Sequence, residues 1–231
     1  VAAGNTAFFV FQATAQDLTE GGSNPNYFLN DAERTSRVCY MRGFSEHLRI
    51  QTNSSTPWFH RRICFTIRGG NAFNTSLAAD TPTQPYRPFV DTTNGMERLW
   101  FDVNRNNMPA SSAAMQNLLF KGTFNVDWND QILAPIDTSR VSLKYDKTFT
   151  IRTGNNSGAL IERKMWHPMN KNIVYDDDES GQAMGSSYYS VDSKLGMGDY
   201  FIVDIIQAGL GAVTTDLLNV FSNSTLYWHE K

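Results

Sequence analysis

The stretch "VSLKYDKTFTI", residues 141–151, puts Val141, Leu143 and Tyr145 on one side of an extended chain and Ser142 and Lys144 on the other. A period of two is what a strand with one dry and one wet face requires. Six further segments share its β-branched and aromatic character and are bounded by Gly, Pro, Asn or Asp: 6–13, 61–68, 98–103, 120–128, 200–206 and 225–230. The chain therefore reads as all-β. Only "SSAAMQNLLF" (111–120) predicts a helix, with Ser111 or Ser112 as its cap. The long connections 69–95 and 176–199 are dense in Pro, Gly, Ser and Asn, which suits crossovers between sheets or binding loops. About eight strands with such excursions predict a two-sheet Greek-key β-sandwich, an eight-stranded jelly roll, rather than an up-and-down barrel.

A chain of 231 residues with 41% hydrophobic content can bury one large core, so residues 1–231 are expected to form a single domain. No apolar run reaches the roughly 18 to 20 residues that would span a bilayer; "YFIVDIIQAGLGAV" is broken by Asp204 and Gln207. No membrane partner is expected. Cys39 and Cys64 are too few for a disulfide framework and read as buried thiols. The net charge of -3 conceals blocks of opposite sign. Residues 34–68 hold seven arginines against Glu46 alone, whereas residues 172–204 hold seven acids against Lys194 alone. Such asymmetry suits a molecule with one face toward a polyanion.

The acids of "NKNIVYDDDESG" (170–181) invite a test as a metal site. Asp176, Asp178, Ser180 and Gly181 fit the first, third, fifth and sixth places of a calcium loop, but the twelfth place is Ser187 and not a bidentate glutamate. Nor do four adjacent acids, Asp176, Asp177, Asp178 and Glu179, establish the acid and base on opposite sides of one bond that a glycosidase needs. Neither the four histidines nor the glycines make a metal or nucleophile motif. No enzyme activity, cofactor or metal is expected, and the acidic run is read as an assembly or surface loop. Two other segments mix rings with cations: "TPWFHRRICFTIR" (56–68), with Trp58, Arg61 and Arg62, and "ERKMWHPMNK" (162–171), with Arg163, Lys164, Trp166 and Lys171. That mixture neutralises a single-stranded polyanion while bases stack on rings.

The segments "RVCYMRGFSEHLRIQT", "PWFHRRICFT", "MWHPMNKNIVYDDDE", "SYYSVDSKLGMGDYFIVDIIQ" and "STLYWHEK" resemble the capsid proteins of genomoviruses, gemycircularvirus-like single-stranded DNA viruses. "ALIERKMWHPMNKNIVYDDDE" more distantly resembles geminivirus coat proteins. The resemblance spans most of residues 34–231. It implies a jelly-roll coat protein that assembles with itself into a small icosahedral (T=1) shell around circular single-stranded DNA, located in the virion and, during assembly, in the host nucleus. It also implies a basic N-terminal arm ahead of Val1, because residues 1–33 hold four acids and no Lys or Arg. On that reading Arg34, Arg37, Arg42, Arg61, Arg62, Arg163, Lys164 and Lys171 are candidates for the DNA-facing side, with Trp58 and Trp166 as stacking partners. The alternative from another class is a calcium-dependent carbohydrate-binding or carbohydrate-cleaving β-sandwich that uses the aromatics as sugar platforms.

Overall fold

A computed structural model describes residues 1–20, 24–27, 32–92 and 95–230. The strands in chain order are β1 (Ala7–Gln12), β2 (Thr19–Glu20), β3 (Asn24–Pro25), β4 (Val38–Thr52), β5 (Trp58–Ile67), β6 (Phe89–Thr92), β7 (Gly95–Arg98), β8 (Phe101–Asp102), β9 (Ser142–Ile151), β10 (Leu160–Val174), β11 (Asp178–Ser180), β12 (Ala183–Gly185), β13 (Asp199–Ala208) and β14 (Leu218–Glu230). One helix, α1 (Pro109–Leu119), lies between β8 and β9. Eight strands form two antiparallel sheets, ordered β8-β1-β13-β5-β9 and β10-β4-β14. The remaining strands make three small ribbons, β2-β3, β6-β7 and β11-β12. Among the long strands, the chain changes sheet at every connection except that from β5 to β9. This crossing habit makes a jelly-roll-like sandwich. No helix among the described residues is long and apolar enough to cross a membrane.

The two sheets differ in how they meet water. Residues 199–206 of β13 are buried without a break, because the five-stranded sheet is covered on both faces. On one face Phe65, Phe201, Val203 and Ile205 pack with Met115 and Leu119 of α1 and with Phe73 and Trp128 of the long connections. On the other face Cys64, Tyr200 and Ile202 meet Cys39, Met41, Phe44, Ile173 and Leu226 of the three-stranded sheet. A sheet buried on both sides needs a nearly continuous apolar run, which is what "YFIVDII" is. The three-stranded sheet has only one dry face, and β4 correspondingly alternates buried with exposed residues along most of its length.

Several expectations change at this point. The predicted strand over 120–128 is a set of turns: Gly122 and Asn125 have φ of 87° and 62°, and the Asp127 carboxylate accepts the Thr123 N–H at 2.6 Å. Its aromatics pack Phe120 against Trp128, but local turn chemistry governs the backbone. The segment 98–103 is likewise interrupted, ending β7 at Arg98 and resuming at β8. The helix forms, but neither Ser111 nor Ser112 caps it. Asp80, from the connection after β5, accepts the N–H groups of Ala110 and Ser111 at 2.8 Å each, and Pro109 begins the first turn. Both cysteines are free and buried, and burial pushes each thiol up to about 12. The opening stretch 141–151 becomes an edge strand, and a register shift opposite Cys64 and Phe65 leaves Leu143 more than a third exposed.

Between the sheets the core carries charge. Arg62 on β5 donates from Nε and Nη2 to both oxygens of Asp204 on β13, at 2.8 and 2.7 Å, and reaches Glu46 on β4. His60 Nε2 lies 2.6 Å from Asp204, and His167 lies near Glu46. Burial by itself would raise both carboxyls, but the Arg62 guanidinium and His60 hold Asp204 far below the carboxylate range. His167 and Arg62 likewise lower Glu46. One cation and two anions thus tie the two sheets together through direct hydrogen bonds, an arrangement that is costly to break one partner at a time.

Candidate nucleic-acid interface

The wet face of the β10-β4-β14 sheet collects cations and rings. Alternation along β4 turns Tyr40, Arg42, His47 and Arg49 outward, while Glu46, Leu48 and Ile50 between them are buried. On β10 the outward residues include Glu162, Lys164 and Trp166. Register then sets the neighbours: Lys164 stands opposite His47, Arg49 opposite Phe221, and Tyr40 opposite His229. The Arg49 guanidinium carbon lies 4.7 Å from the Phe221 ring centre, and the Trp166 and Tyr227 rings are 5.7 Å apart. Trp166 is 49% exposed. Its ring can lie across β4 only because Gly43 has no side chain, since a Cβ there would come within 2.5 Å of it. His47 and Glu162 face each other at 3.7 Å, and Arg42, Arg49 and Lys164 outnumber that one carboxylate on the face.

A second group of cations lies at the open edge between β9 and β10. Arg68, Arg140, Lys144, Lys171 and Lys194 line a cleft of about 430 Å3, with Asp192 as the carboxylate among its lining residues. Lys171 reaches this place through a bulge between Pro168 and Lys171, where Asn170 adopts a φ of 49° and accepts a hydrogen bond from Arg42. Partial burial lowers the Lys144 ammonium from its ordinary value, and the charges of Lys171 and Arg68 lower it further. Like charges held this close favour an anion between them. Arg140 already pairs with Asp137 at 2.7 Å.

Four of the ten sequence candidates cannot meet a phosphate or a base, and each is corrected here. Trp58 is fully buried in the third apolar cluster with Ile50, Ile151, Ile206 and Leu218. Arg62 is held between the sheets by Asp204 and Glu46. Arg61, one residue earlier, points to the opposite face and is buried there, bonded to Asp146 and to the carbonyls of Gln131 and Ala134. Arg34 is buried too, donating to both oxygens of Asp177 at 2.6 and 3.0 Å with its guanidinium 3.8 Å from the Tyr175 ring centre. Arg163 is half-buried, 3.7 Å over the Phe149 ring. Arg37 is exposed and donates to the Tyr175 carbonyl. The remaining candidates, Arg42, Lys164, Trp166 and Lys171, all lie on the wet face or beside the cleft.

The acidic run divides in the same way. Asp176, Asp178 and Glu179 are exposed, and Asp178 and Glu179 belong to the β11-β12 ribbon. Asp177 is buried against Arg34 and also accepts the Ser187 N–H at 3.0 Å. The residue that fails the calcium-loop test is therefore bonded through its backbone to the second acid of the run.

Sequence reading missed Arg49, Arg68, Lys144, Phe221 and Tyr227 as site residues. The signal lay in the alternation of β4, which a register irregularity beside Gly43 obscures. Neither a family model nor a curated protein sequence matches the chain. What the arrangement can do chemically follows from its parts: fixed cations bind phosphates without reading sequence, and exposed rings stack unpaired bases.

Proposed function

We propose that the protein is a viral coat protein that assembles with itself into a small icosahedral shell and packages circular single-stranded DNA against the wet face of its three-stranded sheet. The observation that carries this reading is the juxtaposition of Arg42, Arg49 and Lys164 with the rings of Trp166, Phe221 and Tyr227 on one solvated sheet face. The cleft of Arg68, Lys144 and Lys171 extends the cationic surface around the sheet edge. The resemblance of most of residues 34–231 to genomovirus capsid proteins supports the same reading. In it, sequence-independent contacts to phosphates and base faces serve a genome of any sequence. The test is to image the purified protein by negative stain and to measure nuclease-protected DNA. Closed uniform particles holding protected single-stranded DNA are expected. A monomer that stays monomeric over all concentrations and binds no single-stranded DNA would overturn the proposal.

A further inference from the structure

Two edge strands, one from each sheet, carry an irregularity at the cationic cleft. On β9 the register passes from Tyr145 opposite Cys64 to Leu143 opposite Phe65, so Lys144 between them has no partner residue. On β10 the ladder breaks after Pro168 and resumes at Lys171. A bulge re-aims a side chain, and the lysine at each of these two bulges lines the same cleft. The connection 191–198 supplies a third wall, and Gly196 (φ 72°) and Gly198 (φ 83°) let it pass close to both sheets. A Cβ on Gly196 would lie 3.0 Å from the Asn172 carbonyl oxygen, and one on Gly198 would lie 2.5 Å from that of Ile67. Lys194 reaches the cleft on this connection, and Arg68 is fixed there by donating to the Gly196 carbonyl at 2.9 Å.

The charge gathered in this way is not cancelled locally. Arg140 is committed to Asp137 and to the carbonyls of Asn117 and Phe120, but Arg68, Lys144, Lys171 and Lys194 form no ion pair with a described residue. Asp192 is the one carboxylate among the described lining residues, so four cations against one anion leave a balance of +3. The hydroxyls of Thr138 and Ser142 stand beside them, and no aromatic residue is among the described lining. The wet sheet face is built the other way, with rings between its cations. A cleft without rings gives a base nothing to stack on, whereas clustered ammonium and guanidinium groups match phosphate oxygens. One phosphodiester brings a single negative charge. A balance of +3 around about 430 Å3 suits several phosphates held on one small molecule.

We propose that the cleft is a binding site for a compact polyphosphate, a small molecule carrying two or more adjacent phosphate groups, separate from the strand-binding sheet face. Lys144, Lys171 and Arg68 donate to its phosphate oxygens, and Lys194 approaches from the connection 191–198. The charges of Lys171 and Arg68 both act on Lys144, and an anion set among the three returns its ammonium toward the ordinary value. Every group in the site comes from one chain, so the site stands whether or not the protein forms shells.

The probe is inorganic tripolyphosphate, titrated into the protein by calorimetry at about 0.1 M salt, where long-range attraction is screened. It should bind once per chain and about tenfold tighter than orthophosphate, because more charge-assisted hydrogen bonds form. Lys144→Met and Lys171→Met should each weaken it about tenfold without changing thermal melting, and a double change of Arg42 and Lys164 to Ala should leave it unaltered. Acylation of the Lys144 amine, followed by peptide mass, should slow on adding tripolyphosphate, while that of Lys164 should not. Equal affinity for orthophosphate and tripolyphosphate overturns the proposal, as does undiminished binding when Lys144 and Lys171 are both Met. Protection of Lys144 by a single-stranded oligonucleotide but not by tripolyphosphate also overturns it, and gives the cleft to the strand. Tripolyphosphate that protects Lys144 in a protein that binds no oligonucleotide would uphold this site and sink the coat-protein reading.

Discussion

Arg61 and Arg62 on β5, and Arg42 and Arg49 on β4, belong to one basic block in the sequence and have opposite fates in the fold. The pair on β5 points to the two faces of its sheet, and because both faces are covered, both arginines are buried with carboxylates or carbonyls around them. The pair on β4 points outward from a sheet with one wet face, and both arginines remain exposed. An arginine's role here depends on how many layers cover its strand and on whether a carboxylate lies opposite, not on the density of charge nearby.

The largest expected effect lies on the buried side of this contrast. Arg62→Ala leaves Asp204 and Glu46 as buried anions without their cation, and chemical denaturation should show a loss of about 3–5 kcal/mol. Arg34→Ala should have a similar cost through Asp177, whereas Asp176→Asn and Asp178→Asn, on exposed neighbours, should stay within about 0.5 kcal/mol. If Arg62→Ala and Arg42→Ala proved equally mild, the distinction between the two strands would collapse.

Next in size are effects on binding. Trp166→Ala should weaken single-stranded DNA binding by about 1–3 kcal/mol in a titration at fixed salt. Trp58→Ala should instead destabilise the fold, by about 3–5 kcal/mol in chemical denaturation. A double change of Arg42 and Lys164 to Ala should leave thermal stability nearly unchanged and reduce the salt dependence of binding by roughly 0.7 per cation on a log-log plot. An unaltered slope would remove the wet face from the interface.

The remaining effect concerns pH. Burial pushes the Asp199 carboxyl up to about 7 from 3.8, against hydrogen bonds from Ser190 and Gln12, so the fold favours its protonated form. This contribution is complete below pH 3.8, declines as pH rises, and is gone above about 7, with a slope near 1.4 kcal/mol per unit. Asp204 has the opposite sign: its lowered value stabilises the fold above pH 3.8 and is lost on acidification below that. Asp199→Asn should therefore flatten the stability profile between pH 4 and 7, as read by denaturation at each pH, and leave the acid limb in place.

The sandwich was legible where side-chain pattern and layer number agreed. The run 200–206, apolar but for Asp204, read as a strand, and the two cysteines read as buried thiols, as the structure has them. β4 went unread as a strand because its dry face includes Glu46 and its period slips beside Gly43, although Cys39, Met41, Leu48 and Ile50 keep the alternation. Arg34, Arg61 and Arg62 were misread because their counterions are distant in sequence: Asp177, Asp146 and Asp204. Composition counts charges, but only the fold pairs them. Arg42, Lys164, Trp166 and Lys171 are exposed, because their surroundings are solvent and near neighbours rather than a distant counterion.

The two buried thiols give the protein a chemical clock. Cys39 and Cys64 present almost no thiolate at neutral pH and no surface for a reagent to approach. Cys64 lies beside the charge cluster on β5, and Cys39 lies near the start of β4. A maleimide or aromatic disulfide would therefore mark each site only when its own strand opens. The order of labelling would report which end of the sandwich comes apart first.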